Sequence, residues 1–356
     1  METALKRELE LHRARVNRGR LALVLAALGL AAVAMWAVTA GSTAIPLPDI
    51  LAVLQARLFD PGNPGNTDAY SSVVNTIIWD IRLPRVLMAG LTGAALAVAG
   101  SAYQGMFRNP LADPYLTGVS QGAALGAVCG FLLPVAFPAT LVPVLAFLGA
   151  IISVGAVYSI ARTGKTLPVT TLILGGVAIG AFLASITSYL IIISGDRVHG
   201  IVFWLLGTFA LADWWRVGIM TPYILAGATV LMLTARPLNV MQLDEEQAEQ
   251  LGINVERTKI IILVAATLAT AAAVCFCGAI GFVGIIIPHA VRMICGPDYR
   301  LLMPMSLLGG AAFLILADTA ARTIMAPAEI PVGIITAIIG APFFLYLLNQ
   351  KKKAVF

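Results

Sequence analysis

Stretches without Asp, Glu, Lys or Arg divide this chain, and they set its fold class before any motif is considered. They cover residues 21–40, 86–107, 114–161, 166–195, 217–235, 260–291, 301–317 and 330–350. A helical span takes about 20 predominantly apolar residues, and inside hydrocarbon its backbone groups must be paired within the segment. Two stretches are too long for one crossing. The 114–161 stretch carries Pro134, Pro138 and Pro143 near its middle, which suits a turn between two helices. The 260–291 stretch breaks around Gly278–Gly284, ahead of Pro288. Dividing both gives about ten spans, so the expectation is an all-α integral membrane protein. Its parts are a cytoplasmic N-terminal segment (1–20), a single membrane domain (21–350) and a basic tail (351–356).

Composition agrees. The chain is 59% hydrophobic and 12% charged, with a mean hydropathy of +0.91. Soluble domains carry about 25% charged residues, so this one lacks the polar surface to meet water on all sides. The 21–40 stretch exceeds the apolar core of a signal peptide and reads as a retained first span. Cys129, Cys275, Cys277 and Cys295 all fall in apolar surroundings and read as small hydrophobic fillers rather than a disulfide framework or a metal site.

An even number of spans puts both termini on one side. With the N-terminus in the cytoplasm, seventeen basic residues lie inside and six outside, as the positive-inside rule requires. The six are Arg57, Arg82, Arg85, Arg197, Arg216 and Arg322. The net charge of +5 is modest, and no nucleic-acid partner is expected.

Two connections are longer than turns. Residues 41–81 are rich in Pro, Gly and Asn, with a short helix expected at Pro48–Leu58. Val198–Ala212 is apolar but too short to cross, and it runs into Trp214–Trp215, which suits a re-entrant or interfacial half-helix. Leu91–Pro110 and Leu268–Pro288 echo each other faintly as Ala-rich stretches with glycines and then a proline, which leaves an internal repeat open.

No enzyme site is visible. Gly164-Lys165-Thr166 lacks the earlier glycine of a phosphate-binding loop, since position 159 is Ser, and it follows a membrane span. His12, His199 and His289 are scattered without acid or nucleophile beside them.

Three cytoplasmic or outer features remain. Asp244 reads as an N-cap with Gln247 as its capping-box partner, and Gly252 as the stop of a polar helix over 245–251. So short a helix is marginal alone; it is either a solvated loop helix or a docking helix for a cytoplasmic partner. Arg82 and Arg85 flank Pro84 in Arg-Leu-Pro-Arg, and Arg322 ends the ninth span, all on the side where basic residues are disfavoured. They read either as snorkelling arginines or as a patch for an acidic partner outside. The loop Arg108-Asn-Pro-Leu-Ala-Asp-Pro114 is stiffened by two prolines and joins spans two and three.

Taken in order, these motifs resemble one family. Arg82-Leu-Pro-Arg85, Gly90 to Gly100, Gln104, Asn109-Pro-Leu-Ala-Asp-Pro114 and Gly118-Val-Ser-Gln-Gly122 are similar to the FecCD family of permeases in type II ABC importers. So are Gly278-Ala-Ile-Gly-Phe-Val-Gly284, Ile287-Pro-His289, Leu316-Ala-Asp318, Ala321-Arg322, Glu329 to Gly333 and Gly340 to Phe343.

The resemblance covers roughly 45–350 and implies the type II ABC importer permease fold, with ten spans per subunit. It implies a second permease subunit with the pathway between them, a homodimer being expected ahead of a heterodimer. It implies two ATP-binding subunits on the cytoplasmic side, holding the ATP and Mg that this chain does not bind, and a substrate-binding protein outside. The membrane would be the bacterial or archaeal cytoplasmic membrane. Carried over by position, Arg82, Arg85 and Arg322 match the arginines that meet the binding protein. Asp244, Gln247, Leu251 and Gly252 fall on the ATPase coupling helix, within about 243–256. Asn109 and Leu111 match one cytoplasmic gate, and Val169 and Thr170 fall at another, where Val departs from a hydroxyl pair. Span five, with Gly175, Gly176, Gly180, Ser185, Thr187 and Ser188, and Val198–Phe209 would line the path.

The expected cargo is an iron complex, a ferric siderophore or haem, with a corrinoid as the alternative. An ion-coupled secondary transporter would need ionisable groups near mid-membrane, and this chain has Asp318 and little else.

Overall fold

The computed structural model describes residues 2–41, 43, 45–59, 72–133 and 140–353. The helices in chain order are α1 (Glu2–Thr39), α2 (Leu47–Phe59), α3 (Ser72–Asn75), α4 (Leu83–Met106), α5 (Val119–Leu132), α6 (Leu141–Ala161), α7 (Val169–Ile192), α8 (Val198–Leu205), α9 (Trp214–Leu233), α10 (Ala235–Met241), α11 (Glu245–Gln250), α12 (Val255–Cys277), α13 (Val283–Cys295), α14 (Tyr299–Thr323) and α15 (Val332–Lys353). Among the described residues, seven helical stretches are long and apolar enough to cross a membrane, and three shorter apolar ones (Val119–Leu132, Val283–Cys295, Val332–Tyr346) join them. The seven and the three together make the ten spans expected, on an all-helical fold.

The expected breaks fall where the sequence places them. The 260–291 stretch divides after Cys277, where Gly278 takes φ +74°. The 114–161 stretch divides between α5 and α6, its turn prolines 134 and 138 lying outside the described residues. The short helix expected at Pro48–Leu58 is α2. The second span differs in its start. The charge-free stretch begins at 86, yet the helix runs from Val73 through a π-helical segment, Thr76–Arg82, before α4. It passes Arg82 and Arg85 because both find partners inside the protein.

At the centre stand α4 and α12, with 83% and 78% of their apolar windows buried; α1 and α7 are peripheral, at 11% and 22%. Small residues let the central backbones touch. A Cβ on Gly93 would run into the carbonyl of Gly310 on α14, and one on Gly100 into that of Gly284 on α13. The packing also answers the sequence echo. α4 packs on α14 and α12, as α12 packs on α6 and α4; α5 pairs with α6 as α13 does with α14. Four successive helices from α4 match four from α12 to α15 in order and in length. An odd number of crossings separates the two sets, which makes the repeat an inverted one.

The interrupted helices meet one another. Past α8, Gly207 adopts φ +81° and the chain leaves the helix. Thr208 N–H donates to the Cys277 carbonyl (2.8 Å), Val332 N–H to Gly207 (2.9 Å) and Gly333 N–H to Leu206 (3.1 Å). The Tyr115 hydroxyl donates to the Ile280 carbonyl and accepts from its N–H, each at 3.0 Å. Non-helical backbone here is satisfied by the ends of other helices and by the Tyr115 hydroxyl, the condition for keeping it at membrane depth. The half-helix reading of Val198–Ala212 takes this form: a two-turn helix followed by a non-helical segment that is buried at Gly207–Phe209 and exposed at Ala210 and Leu211.

Candidate functional site

At the end of the bundle where α1 and α14 stop and α4 starts, the three arginines come together. Their positions follow from local sequence: Pro84 occupies the first turn of α4 beside Arg82 and Arg85, and Arg322 lies one helical turn after Asp318. Arg82 donates from Nη1 to the carbonyls of Val38 (2.9 Å) and Thr39 (3.0 Å), and from Nη2 to that of Thr43. It thereby satisfies carbonyls that the end of α1 leaves without helical partners. Arg85 donates from Nε to both carboxylate oxygens of Asp318 (3.2 and 3.0 Å), from Nη2 to Oδ1 (2.9 Å) and from Nη1 to Glu329 Oε1 (2.8 Å). Arg322 donates from Nη2 to the Ala37 carbonyl, and its Nε lies 3.9 Å from Asp318. All three are buried, at 4%, 7% and 8% exposure. Each guanidinium is thus engaged within the chain rather than presented outward. Direct pairing with a partner's carboxylates would require these groups to exchange partners. Asp318 and Glu329, which the sequence reading left without a role here, are the carboxylates of the cluster.

On the opposite side, α11 forms as its sequence directs. Asp244 caps it, its carboxylate accepting from Glu245 N–H (2.6 Å) rather than from the third residue as a capping box would have it. Gly252 takes φ +84°; its N–H donates to Glu249, and Ile253 N–H donates to Ala248. These two bonds make a Schellman ending, and Ile253 packs with Ala248, Met241 and Val255 in a small apolar cluster. Asn254 then caps α12 through Arg257 N–H (2.9 Å). Leu243 and Leu251 flank the helix and are 58% and 64% exposed.

Both candidate gate segments reach this region. Asn109 is exposed and Leu111 half-buried; the Asn109 side chain accepts from Leu111 N–H (3.0 Å), closing a tight turn. Beside them Arg108, at φ +47°, places its guanidinium 3.8 Å from Asp244. Val169 and Thr170 open α7, Val169 half-buried and Thr170 exposed. The preceding Leu167 N–H donates to Glu256 (2.6 Å).

The proposed path residues divide into two sets. Gly176 and Gly180 are buried on the inner face of α7, where a Cβ on Gly176 would run into the Leu116 carbonyl and one on Gly180 would lie 3.6 Å from Gln121. Ser185 and Ser188 are exposed on the opposite face, in line with Leu174, Val177 and Ile192, which are 63%, 56% and 81% exposed. Their hydroxyls donate back to the carbonyls of Ala181 and Ala184, both at 2.9 Å. The glycines therefore pack α7 into the bundle, and the serines mark the face it leaves uncovered.

Residues 26–350 match the FecCD transport family. The chain is 48% identical over 276 residues to the cobalamin import system permease protein BtuC of Halobacterium salinarum, covering 78% of this chain and 74% of that one. It is 40% identical over 282 residues to the hemin transport system permease protein HmuU of Yersinia pestis, covering 78% and 84%. Among solved structures, an inward-facing metal-chelate type ABC transporter superposes with a TM-score of 0.79 at 31% identity, covering 92% of this chain and 98% of that one. With this match over most of its length, the chain belongs to the FecCD transport family: it is the multi-pass permease subunit of an ABC importer, and not itself an enzyme.

Proposed function

We propose that the protein carries a large metal chelate across the cytoplasmic membrane by alternating access, driven by ATP hydrolysed on separate subunits docked at α11. The observation that carries this reading is the pair of exposed leucines around the short, doubly capped α11. Two ATP-binding subunits cover that face in the assembled importer, and both termini lie on the same cytoplasmic side. A second copy of the permease covers the open face of α7, so that Ser185 and Ser188 border the path between subunits. Asn109, Leu111, Val169 and Thr170 close it toward the cytoplasm. Outside, a binding protein docks around the arginine cluster, its acidic groups competing for Arg82, Arg85 and Arg322 with Asp318 and Glu329.

Among chelates, the cobalamin relative stands ahead of the hemin relative in identity, and this favours a corrinoid over the iron complex expected from the family resemblance. The test is the ligand retained by the purified cognate binding protein. A corrinoid absorbance spectrum is the expected result; a haem Soret band or a ferric catecholate band replaces the corrinoid with an iron complex, and a chelate-free small solute overturns the cargo class.

A further inference from the structure

Lys259 stands one turn into α12 and is 2% exposed. An ammonium has three donors and no acceptor, and burying it without partners is costly. Here each donor is used. Nζ donates to Glu245 Oε2 (2.9 Å), to Glu256 Oε1 (3.0 Å) and to the Leu167 carbonyl (3.4 Å). The second oxygen of Glu256 accepts from the N–H of the same Leu167 (2.6 Å). Leu167 is therefore gripped at both backbone groups, its carbonyl by Lys259 and its N–H by Glu256. It is itself buried and lies two residues before the first turn of α7. Glu245 is the first residue of α11. One buried cation thus joins the start of the docking helix to the chain that enters α7.

Stiffness on either side makes this join mechanical. Pro168 follows Leu167 with φ fixed at −64°, so a displacement of Leu167 is passed to Val169 rather than absorbed at that bond. On the other side, α11 is held at its N-terminus by Asp244 and at its C-terminus by the Schellman bonds. It therefore moves as a unit and takes Glu245 with it. The Arg108–Asp244 pair ties the other gate loop to the same helix, but at 3.8 Å with both side chains partly exposed it is solvent-screened and contributes little. The link through Lys259 has a buried cation and a 2.9 Å contact, although Glu245 is itself 43% exposed, and it is the better placed of the two to transmit movement.

We propose that Lys259, with Glu245 and Glu256, is the positioning link that carries movement of α11 to the gate at the start of α7. The inference rests on reading α11 as the ATPase-docking helix and Val169–Thr170 as a gate, and the experiment separates its failure from theirs. Hydrogen–deuterium exchange is followed in the intact importer, assembled with its own ATPase and binding-protein subunits, with and without ATP. In the native assembly ATP changes exchange in both 244–252 and 163–172. Lys259→Met and Glu245→Gln are expected to keep the change at 244–252 and to lose it at 163–172. The Glu245 variant weakens the bond between Lys259 and α11 at a partly exposed side chain and keeps the question answerable if the Lys259 variant does not assemble. If 163–172 still responds to ATP in step with 244–252 in an assembled variant, the link is overturned. If 244–252 does not respond in the native importer, the docking-helix reading falls, and the link falls with it.

Discussion

Replacing Asp318 by Asn removes one negative charge from the arginine cluster and leaves its arginines in place. Asp318 is 2% exposed, accepts three hydrogen bonds from Arg85 and faces Arg322 at 3.9 Å. After the change, Glu329, whose side chain is 35% exposed, is the one carboxylate left to Arg85, since an Asn oxygen accepts a hydrogen bond but carries no charge. Two unit charges about 4 Å apart interact by about 4 kcal/mol at an effective dielectric near 20. Breaking a buried ion pair from one side costs about 3–5 kcal/mol in proteins generally. Both routes put Asp318→Asn near 4 kcal/mol, while Glu329→Gln, which removes a half-solvated partner, falls at about 0–1 kcal/mol. The double change Arg85→Met with Asp318→Leu removes the pair together and is expected to cost less than Asp318→Asn alone. Equilibrium denaturation of the purified permease in mixed micelles measures all three against the native chain. The reasoning is refuted if Asp318→Asn lies within about 1 kcal/mol of native, or if Glu329→Gln is equally costly.

Two further outcomes follow from the packing and the docking surface. Leu251→Ala removes a side chain that is 64% exposed; covering that share of a leucine is worth about 1–2 kcal/mol, so affinity for the ATPase subunit drops about 5- to 30-fold. Unchanged affinity in a titration of labelled permease with ATPase removes α11 from the contact. Gly93→Leu forces side-chain atoms into the Gly310 backbone, whereas a Cβ on Gly29 meets nothing within 4 Å; Gly93→Leu is expected to abolish monodisperse folded protein on size exclusion and Gly29→Leu to leave it unchanged.

The span pattern was legible because lipid imposes it: a charge inside hydrocarbon is expensive, so charge-free length reads directly as crossings. The end of α11 was legible too, since Gly252 sits where only a residue tolerant of positive φ closes a helix. Partners were harder. Nothing local to Arg85 points to Asp318, 233 residues away, or to Glu329 beyond it. The i,i+4 spacing of Asp318 and Arg322 was a signal that went unused. The same limit applies to Lys259, which looks like one more inward-side basic residue until folding brings Leu167 and Glu245 to it. Gly176 and Gly180 stand on the expected path as members of span five, but which face of α7 they occupy depends on where Leu116 and Gln121 lie. Sequence marks what each residue tolerates; long-range contact decides what it meets.

The separation between Arg85 and Asp318 also bears on how the chain is made. Arg82 finds its carbonyl acceptors at the end of the preceding span almost as soon as it is synthesised. Arg85 enters the bilayer long before its carboxylate exists, and until the ninth span arrives it has only water at the membrane border to stabilise it. Its place at the rim of α4, not at mid-depth, keeps that waiting period tolerable. When Asp318 and Arg322 emerge together on one turn of helix, they join the ninth span to the first and second, which Arg82 already ties to each other. The cluster is thus a late fastener in biogenesis, closing around parts that have been in the membrane since the beginning of translation.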